Sequence, residues 1–303
     1  MRVLLRISIL AVLALIAGLV SAATGPSQTS ARLALGGDVM FGRWTDEGWR
    51  ETPIPQDFDD TRRRLRAADL TLINLETAIC DQEVAVEMAP FLGSQRNRFT
   101  APPSYLSELT DGGVDVAIVA NNHAMDCGPQ SMKRTLGHLG EHDIAAAGVW
   151  RAGEPAFGRP NFVSFGMNRA IIIAVTAHPP PVEWRAAEGP ATLWRWDHDT
   201  RGLVEYVANL RDEHPRDLVI VSLHWGHELA AHPTAPQRKL SRQLIDAGAD
   251  VIYGHGAHVL QEVEHYGDKA IVYSAGNLFF ERRCRSIIAR RRQRDRGGEP
   301  SGR

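Results

Sequence analysis

The sequence has few cysteines and prolines and no internal repeat, and each absence excludes a class of protein. Three cysteines among 303 residues are too few for a small disulfide-rich scaffold. With only 17 prolines, 44% hydrophobic residues and 23% charged residues, the chain is neither wholly disordered, nor collagen-like, nor a protein that crosses a membrane many times. What remains is a packed globular protein, long enough for one large α/β domain.

Acidic residues are missing from the first 23 positions and scarce in the last 22. The first segment carries a charge of +2, and residues 282–303 carry +7 from nine arginines against two acids. Because the whole chain has a net charge of −2, the residues between them carry −11. A nucleic-acid-binding protein would present a basic face, so we expect no nucleic-acid partner. The acidic body fits carboxylates that hold cations, although solubility alone explains it equally well.

The amino terminus has the pattern of a secretory signal peptide. Arg2 and Arg6 precede an apolar run of 14 residues, Ile7 to Val20, and small residues follow it. The run is shorter than the roughly 20 residues of a membrane-spanning helix. We therefore predict that residues 1–23 direct export, either as a cleaved signal peptide or as an uncleaved N-terminal anchor. The protein would then work outside the cytoplasmic membrane, in the periplasm or secreted.

From Arg32 onward, β-type and α-type segments alternate, which predicts an α/β fold with a largely parallel sheet. The predicted strands are Leu33–Leu35, Leu70–Leu75, Val114–Ala120, Ala170–Val175, Leu218–Leu223 and Val251–Tyr253. A hairpin is predicted around Gly267 and Asp268. No boundary interrupts residues 32–280, so we assign them to one domain, and we expect the basic residues 281–303 to form a disordered tail.

Polar side chains follow five of these apolar strands. They are Asp38, Asn74 with Glu76, Asn121 to His123, His224, and His255 with His258. Each has an ordinary explanation, such as a turn for Asp38 or a core position for His224. However, parallel strands bring their carboxyl ends to one edge of the sheet, where α/β folds bind ligands. Carboxylate, amide and imidazole groups suit Zn²⁺, Mn²⁺ or Fe. Two such ions could clamp an attacking and a leaving oxygen.

Six motifs occur in a fixed order along the chain. They are Gly37–Arg43 (GDVMFGR), Asn74–Thr77 (NLET), Ala120–Gly128 (ANNHAMDCG), His224–Glu228 (HWGHE), Gly254–Val259 (GHGAHV) and Tyr273–Asn277 (YSAGN). Over residues 32–280, the chain thereby resembles the CapA family of bacterial capsule (poly-γ-glutamate) synthesis proteins. That family is related to the calcineurin-like metallophosphoesterases. The resemblance implies a four-layer α/β/β/α sandwich with a dinuclear metal centre.

The resemblance also implies a role for each of nine residues. The expected ligands of two divalent ions, Mn, Zn or Fe, are Asp38, Glu76, Asn122, His224, His255 and His258. His123 would be the general acid or a group that stabilises the charge of the transition state, and Asp126 would orient it. Arg43 would anchor an anionic group of the substrate, because a guanidinium binds carboxylate or phosphate in a bidentate manner.

The chain departs from the family pattern in two places. Family members commonly have Gly-His-His-Pro-His where Gly254–His258 is Gly-His-Gly-Ala-His. Relatives also continue with further strands after the Gly-Asn motif, so the expected sandwich could lack an edge element at its carboxyl end.

Cys80 lies four residues after Glu76, and Cys127 lies four after His123. If the two motifs converge, these thiols could form a disulfide after export; the alternative is two buried, idle thiols.

Two functions remain open at this point. The first is an exported, metal-dependent hydrolase or transferase of the CapA type, which acts on an anionic cell-envelope polymer. Its reaction would belong to poly-γ-glutamate synthesis or processing, or would be phosphoester hydrolysis. The second is a non-catalytic accessory component of a membrane-bound complex for polymer synthesis or export, in which the same residues serve binding or stability.

Overall fold

The computed structural model describes residues 31–45, 48–52, 58–81, 83, 98–155, 157–178, 188–190 and 200–280. The predicted export segment 1–23 and the predicted tail 281–303 lie outside the described residues. Among the described residues, no helix combines the length and the apolar character needed to span a membrane.

The described residues alternate between strands and helices, with most helices placed between successive parallel strands. The strands are β1 Leu33–Val39, β2 Gly42–Thr45, β3 Gly48–Glu51, β4 Leu70–Leu75, β5 Ala78–Ile79, β6 Thr100–Ala101, β7 Val116–Ile118, β8 Ala145–Ala147, β9 Val149–Arg151, β10 Asn161–Phe165, β11 Asn168–Thr176, β12 Glu188–Pro190, β13 Leu218–His224, β14 Val251–His255, β15 Val263–Tyr266, β16 Lys269–Val272 and β17 Asn277–Phe279. The α-helices are α1 Phe58–Arg66, α2 Leu106–Asp111, α3 Ser131–Glu141, α4 Thr200–Glu213 and α5 Ala235–Asp246.

Two main sheets carry the fold. The first has the strand order β17-β1-β4-β7-β8, and all its neighbouring strands are parallel. The second has the order β10-β11-β13-β14-β16-β15, with three parallel pairs in the middle and an antiparallel pair at each edge. The predicted α/β fold with largely parallel strands is confirmed. The predicted hairpin is confirmed as well, since β15 and β16 flank Gly267 and Asp268.

Both faces of the central strands are buried. Side chains alternate between the two faces of a strand, and in β11 this separates Ile172 from Ile171. Ile172 shares a buried cluster with Leu72 of the first sheet. Ile171 shares a different cluster with Leu203 of α4 and Leu244 of α5. Such burial requires the nearly continuous apolar runs from which these strands were predicted.

The first strand is longer than the sequence predicts. It continues through two glycines to Val39 rather than ending at Leu35. A Cβ atom at Gly37 would overlap the backbone carbonyl of Gly276, which immediately precedes β17. Glycine therefore serves a close approach between two chain segments here, not a turn. As a consequence, Asp38 is a strand residue held within the first sheet.

A disulfide joins Cys80 to Cys127, whose Cα atoms are 6.5 Å apart. Of the two alternatives that the sequence left open for these cysteines, the structure shows the disulfide, and both residues are buried. Cys80 directly follows β5, and Cys127 lies in the turn before α3. The bond spans 47 positions of sequence, and the loop-closure entropy of such a span corresponds to about 4 kcal/mol of stability.

Replacing Gly37 with alanine should destabilise the protein by about 3 kcal/mol, because the added methyl would force β1 away from the chain at Gly276. The matched control is Gly140→Ala in α3, where nothing lies within 4 Å of the added Cβ. Alanine is the better helix former, so this variant should gain up to about 1 kcal/mol. Urea denaturation measures both changes. Equal stabilities of the two variants would contradict the proposed close approach.

Candidate metal centre

The predicted site residues lie where the strands of both sheets end. In the first sheet, the pairing register sets Asp38 beside Asn74 on one side and Asn277 on the other. In the second, His224 pairs with His255. The positions of these residues at strand ends predict that they meet at the edge of one sheet. In the structure, the edges of two sheets form the site together. Each sheet supplies a different chemistry, oxygen ligands from the first and imidazoles from the second.

Two sets of acidic and histidine side chains bring their potential ligand atoms within 4.8 Å of one another. The first set is Asp38, His224 and His255, and the second is Asp38, Glu76 and His258. Asp38 belongs to both sets and is fully buried. A mixed oxygen and nitrogen donor set of this kind is compatible with divalent metal ions.

Hydrogen bonds hold the Asp38 carboxylate from several directions. Its Oδ1 accepts from Asn74 Nδ2 at 2.7 Å, and its Oδ2 accepts from the Gly256 backbone amide at 3.2 Å. The Nδ1 of His258 lies 3.0 Å from the same Oδ2. Asn121 in turn donates from Nδ2 to Asn74 Oδ1 at 3.1 Å. The orientation of Asp38 is therefore fixed by a buried network, which limits the directions in which it can bind a ligand.

The two buried histidines of the second sheet contact each other. Their Nδ1 atoms lie 2.9 Å apart, and His255 Nε2 lies 2.8 Å from the hydroxyl of Ser222. Burial lowers the pKa of His255 to about 3, with a further contribution from the charge of His258. Burial and His255 likewise lower the pKa of His224 well below its usual value. Both imidazoles are consequently neutral at physiological pH, which is the form that binds metals.

Two buried oxygens at the site have unmet bonding capacity. Glu76 Oε2 and Asn122 Oδ1 have no hydrogen-bond partner within the part of the chain that the structure describes. Burial, and then the charge of Asp38, raise the pKa of Glu76 well above its usual value. Because a buried carboxylate without a compensating charge is unfavourable, a cation beside Glu76 would relieve this cost. The donor set and the unsatisfied oxygens together fit a bound metal.

His123 lies beside this cluster and is held by Asp126. Its Nδ1 donates to Asp126 Oδ2 at 2.7 Å, while its Nε2 lies 3.9 Å from Glu76 Oε1. The imidazole stacks on Phe99, with ring centroids 3.9 Å apart. The guanidinium carbon of Arg43 lies 5.2 Å from the Phe99 centroid. The predicted acid, its orienting carboxylate and the predicted anion anchor thus occupy one flank of the candidate metal centre.

Comparison with known proteins identifies the family of the chain. Residues 32–282 match the family described as bacterial capsule synthesis protein PGA_cap. The chain belongs to this family. The membership predicted from the six ordered motifs is thereby confirmed.

Curated relatives of this PGA_cap protein are identical to it at somewhat under a third of the aligned positions. It is 29% identical over 245 residues to the PGA biosynthesis protein CapA of Bacillus subtilis, covering 81% of this chain and 62% of that protein. It is 32% identical over 219 residues to a probable polyglutamine synthesis accessory protein of Mycobacterium tuberculosis, covering 70% of this chain and 56% of the relative. The chain therefore spans less than two thirds of the length of these two relatives.

Among solved structures, the PGA_cap protein is similar to a putative 5'-nucleotidase from Staphylococcus aureus, crystallised with α-ketoglutarate. The TM-score is 0.52 at 14% sequence identity, and the similarity covers 82% of this chain and 48% of that one. At this identity the likeness shows a shared fold alone.

The departure at Gly254–His258 leaves two histidines in place. Gly256, where the family commonly has another histidine, has a positive φ of 99°, and a Cβ there would lie 3.0 Å from His224 Cε1. His258 itself adopts the left-handed conformation with φ 57°, which is costly for a residue with a side chain. His255 and His258 each belong to one of the two ligand sets, so the altered motif still supplies a histidine to both.

Four residues of the site were given no individual role by the sequence. Asn74 and Asn121 are among the polar residues predicted at strand ends, but their bonds behind Asp38 were not predicted. Phe99 precedes a two-residue strand, and Ser222 lies within the apolar run of β13; neither has a signal in the sequence.

Five of the nine predicted site residues form the two ligand sets. His123, Asp126 and Arg43 lie on one flank of these sets, and Asn122 directly precedes His123 in the chain. The chemical roles of all nine remain predictions.

The stability of the metal-free protein should depend on His258. Burial alone would lower its pKa, but the hydrogen bond to Asp38 and the charges of Glu76 and Asp38 raise it to about 9. A raised pKa stabilises the folded state below pH 6.5, and this contribution is lost as the pH rises from 6.5 to about 9. In protein treated with EDTA, the free energy of unfolding should therefore fall across that interval.

Urea denaturation at a series of pH values checks this expectation. His258→Gln should flatten the decrease, whereas His265→Gln, which changes an exposed residue of β15, should leave it as in the wild type. An unchanged slope in His258→Gln would show that the ion pair with Asp38 does not set this dependence.

Proposed function

We propose that this PGA_cap protein is an exported, metal-dependent hydrolase or transferase that acts on an anionic polymer of the cell envelope. The observation that carries the proposal is the convergence of two ligand sets on Asp38, beside an imidazole that a carboxylate orients. Side chains from five strand ends meet there, and a purely structural role would not require buried oxygens without partners.

We extend the proposal to the layering of the fold, as a four-layer α/β/β/α sandwich. Three buried clusters support it. One joins the first sheet to α2 and α3, one joins the two sheets to each other, and one joins the second sheet to α4 and α5. In addition, the hydroxyl of Tyr253 in the second sheet donates to the backbone carbonyl of Gly36 in the first.

We assign the metal-holding role to Asp38, Glu76, His224, His255 and His258, with Asn122 as an amide ligand. Divalent ions bound there would polarise the electrophilic centre of the substrate and activate water for attack. Asn74 and Asn121 orient Asp38, and Ser222 orients His255, as residues behind metal ligands commonly do. We propose two such ions per chain, of Mn, Zn or Fe.

His123 and Arg43 would act on the substrate directly. Asp126 accepts from His123 Nδ1, which stabilises the imidazolium and leaves the Nε2 proton available to the departing atom. As water replaces the leaving group on phosphorus or on a carbonyl carbon, His123 gives that proton to the departing oxygen or nitrogen. Arg43 binds an anionic group, and its charge offsets the repulsion between an acidic polymer and a body with a charge of −11.

Two substrate classes fit this site. The names of the family and of the Bacillus subtilis relative favour poly-γ-glutamate, whose amide bond would be hydrolysed or transferred to an amine of the polymer. The family's relation to metallophosphoesterases favours a phosphoester. Since a fold hosts many reactions, the choice between them belongs to experiment.

The second candidate function is an accessory one, within a membrane-bound complex that makes or exports the polymer. The Mycobacterium tuberculosis relative is described as a probable accessory protein of polyglutamine synthesis. In this chain, Gly256 stands where the family commonly has a further histidine. An accessory protein would keep the metal site for stability or polymer binding and would have no turnover.

Metal binding and hydrolysis test the main proposal against the accessory one. We expect two ions of Mn²⁺ or Zn²⁺ per chain, and hydrolysis of either an aryl phosphoester or poly-γ-glutamate. Asp38→Asn should lose at least one ion and lower kcat/KM at least about 100-fold, because Asp38 belongs to both ligand sets. Asp246→Asn, which changes an exposed residue of α5, is the matched control and should behave as the wild type.

Elemental analysis after removal of free metal, together with initial rates on both substrates, gives the result. Two bound ions without turnover of either substrate would favour the accessory function. A wild-type protein that retains no metal would contradict both the cofactor and the catalytic proposal.

The proposed location outside the cytoplasmic membrane has its own test. The signal-peptide pattern and the Cys80–Cys127 disulfide support it, because such bonds persist in oxidising compartments. Protein isolated from its native compartment with thiols blocked at lysis should yield unlabelled Cys80 and Cys127 until a reductant is added. Peptide mapping distinguishes these cysteines from Cys284. Labelling of both without reductant would contradict the proposed location.

A further inference from the structure

Phe99 contacts the His123–Asp126 pair in two independent ways. Its ring stacks on the imidazole, with an interplanar angle of 24° and a centroid distance of 3.9 Å. Its backbone amide donates to Asp126 Oδ2 at 2.6 Å, and the same oxygen accepts from His123 Nδ1. One residue therefore fixes both the imidazole and the carboxylate that orients it.

The segment that carries Phe99 is itself anchored. Phe99 O accepts from the Ala78 amide at 2.9 Å, and Ala101 O accepts from the Cys80 amide at 3.0 Å. The disulfide then ties Cys80 to Cys127, the residue after Asp126. Phe99 and the His123–Asp126 turn are thus joined through one short covalent and hydrogen-bonded path.

Asp126 alone does not determine the position of His123. A single hydrogen bond at Nδ1 leaves the imidazole free to rotate about the line joining the two bonded atoms. The side chain of His123 is 14% exposed, so general packing does not enclose it completely. Stacking on Phe99, which is only 5% exposed, selects one ring plane. It thereby keeps Nε2 on the side of Glu76 Oε1, at 3.9 Å.

We propose that Phe99 is a positioning residue for His123, which holds the imidazole plane and, through its backbone amide, the orienting carboxylate. The catalytic consequence rests on the proposed function, while the geometric role does not. Removing the ring should leave metal binding in place and should misdirect the proton donor. A displacement of this kind lowers kcat by about 10- to 100-fold.

Three variants separate positioning from ordinary packing. Phe99→Leu removes the stacking ring but keeps an apolar side chain and the backbone amide. Phe99→Tyr keeps the ring and should restore most of the activity. Phe165→Leu is the matched control, since Phe165 is 7% exposed and lies in the cluster between the sheets. We expect Phe99→Leu alone to lower kcat, with the number of bound ions unchanged. KM should rise as well, since the guanidinium carbon of Arg43 lies 5.2 Å from the same ring.

A second measurement does not depend on turnover. Carbon-13 relaxation of the His123 ring reports how far the imidazole plane moves, and His123→Gln assigns the signals. In the wild type we expect a rigid ring, as the stacking on Phe99 requires. Phe99→Leu should show a mobile ring that keeps its Nδ1 bond to Asp126, and Phe165→Leu should leave the ring rigid. Phe99→Met, also without a ring, replaces the leucine variant if that variant does not fold.

The outcomes of the two measurements are distinct. If the wild type turns over no substrate, the proposed function fails, and the comparison of ring mobility still decides the role of Phe99. A His123 ring as rigid in Phe99→Leu as in the wild type would overturn the positioning role. Equal losses of kcat in Phe99→Leu and Phe165→Leu would overturn it as well, because they would show that Phe99 contributes only packing.

Discussion

The buried carboxylate of Asp38 is the constraint on which the arrangement of the two sheets depends. Asp38 belongs to the first sheet, yet two of its partners, Gly256 and His258, directly follow β14 of the second sheet. Placing a carboxylate out of water costs several kcal/mol unless it is paired. The two strand edges must therefore keep the separation at which these contacts hold. The candidate metal centre is the space that this separation defines.

Much of this centre could be predicted because its residues lie at the ends of apolar strands. The apolar runs before Asp38, His224 and His255 predict strands, and parallel strands bring their carboxyl ends together. The approximate positions then follow without knowledge of any contact. The division between two sheets did not follow in this way, because a run of apolar residues does not reveal which sheet a strand joins. For that, the resemblance to a family was needed.

What could not be predicted depends on contacts between distant segments. Phe99 acquires its place from a stacked imidazole and from pairing with the chain near Cys80, and Ser222 acquires its place from His255 on the neighbouring strand. Gly37 shows the same limit. Consecutive glycines locally favour a turn, whereas the close approach of Gly276 makes them part of a strand. At these positions tertiary packing overrides the local conformational preference of the sequence.

The pairing of β1 with β17 has a consequence for the order in which the protein is built. Asp38 pairs with Asn277, so the ribosome releases one partner long before the other. At roughly 5 to 20 residues per second, β1 waits roughly 10 to 50 s for its outer neighbour. During that time one side of β1 is an unprotected strand edge. His258 is synthesised almost as late, so the second ligand set of the candidate metal centre is incomplete until the chain has passed β14.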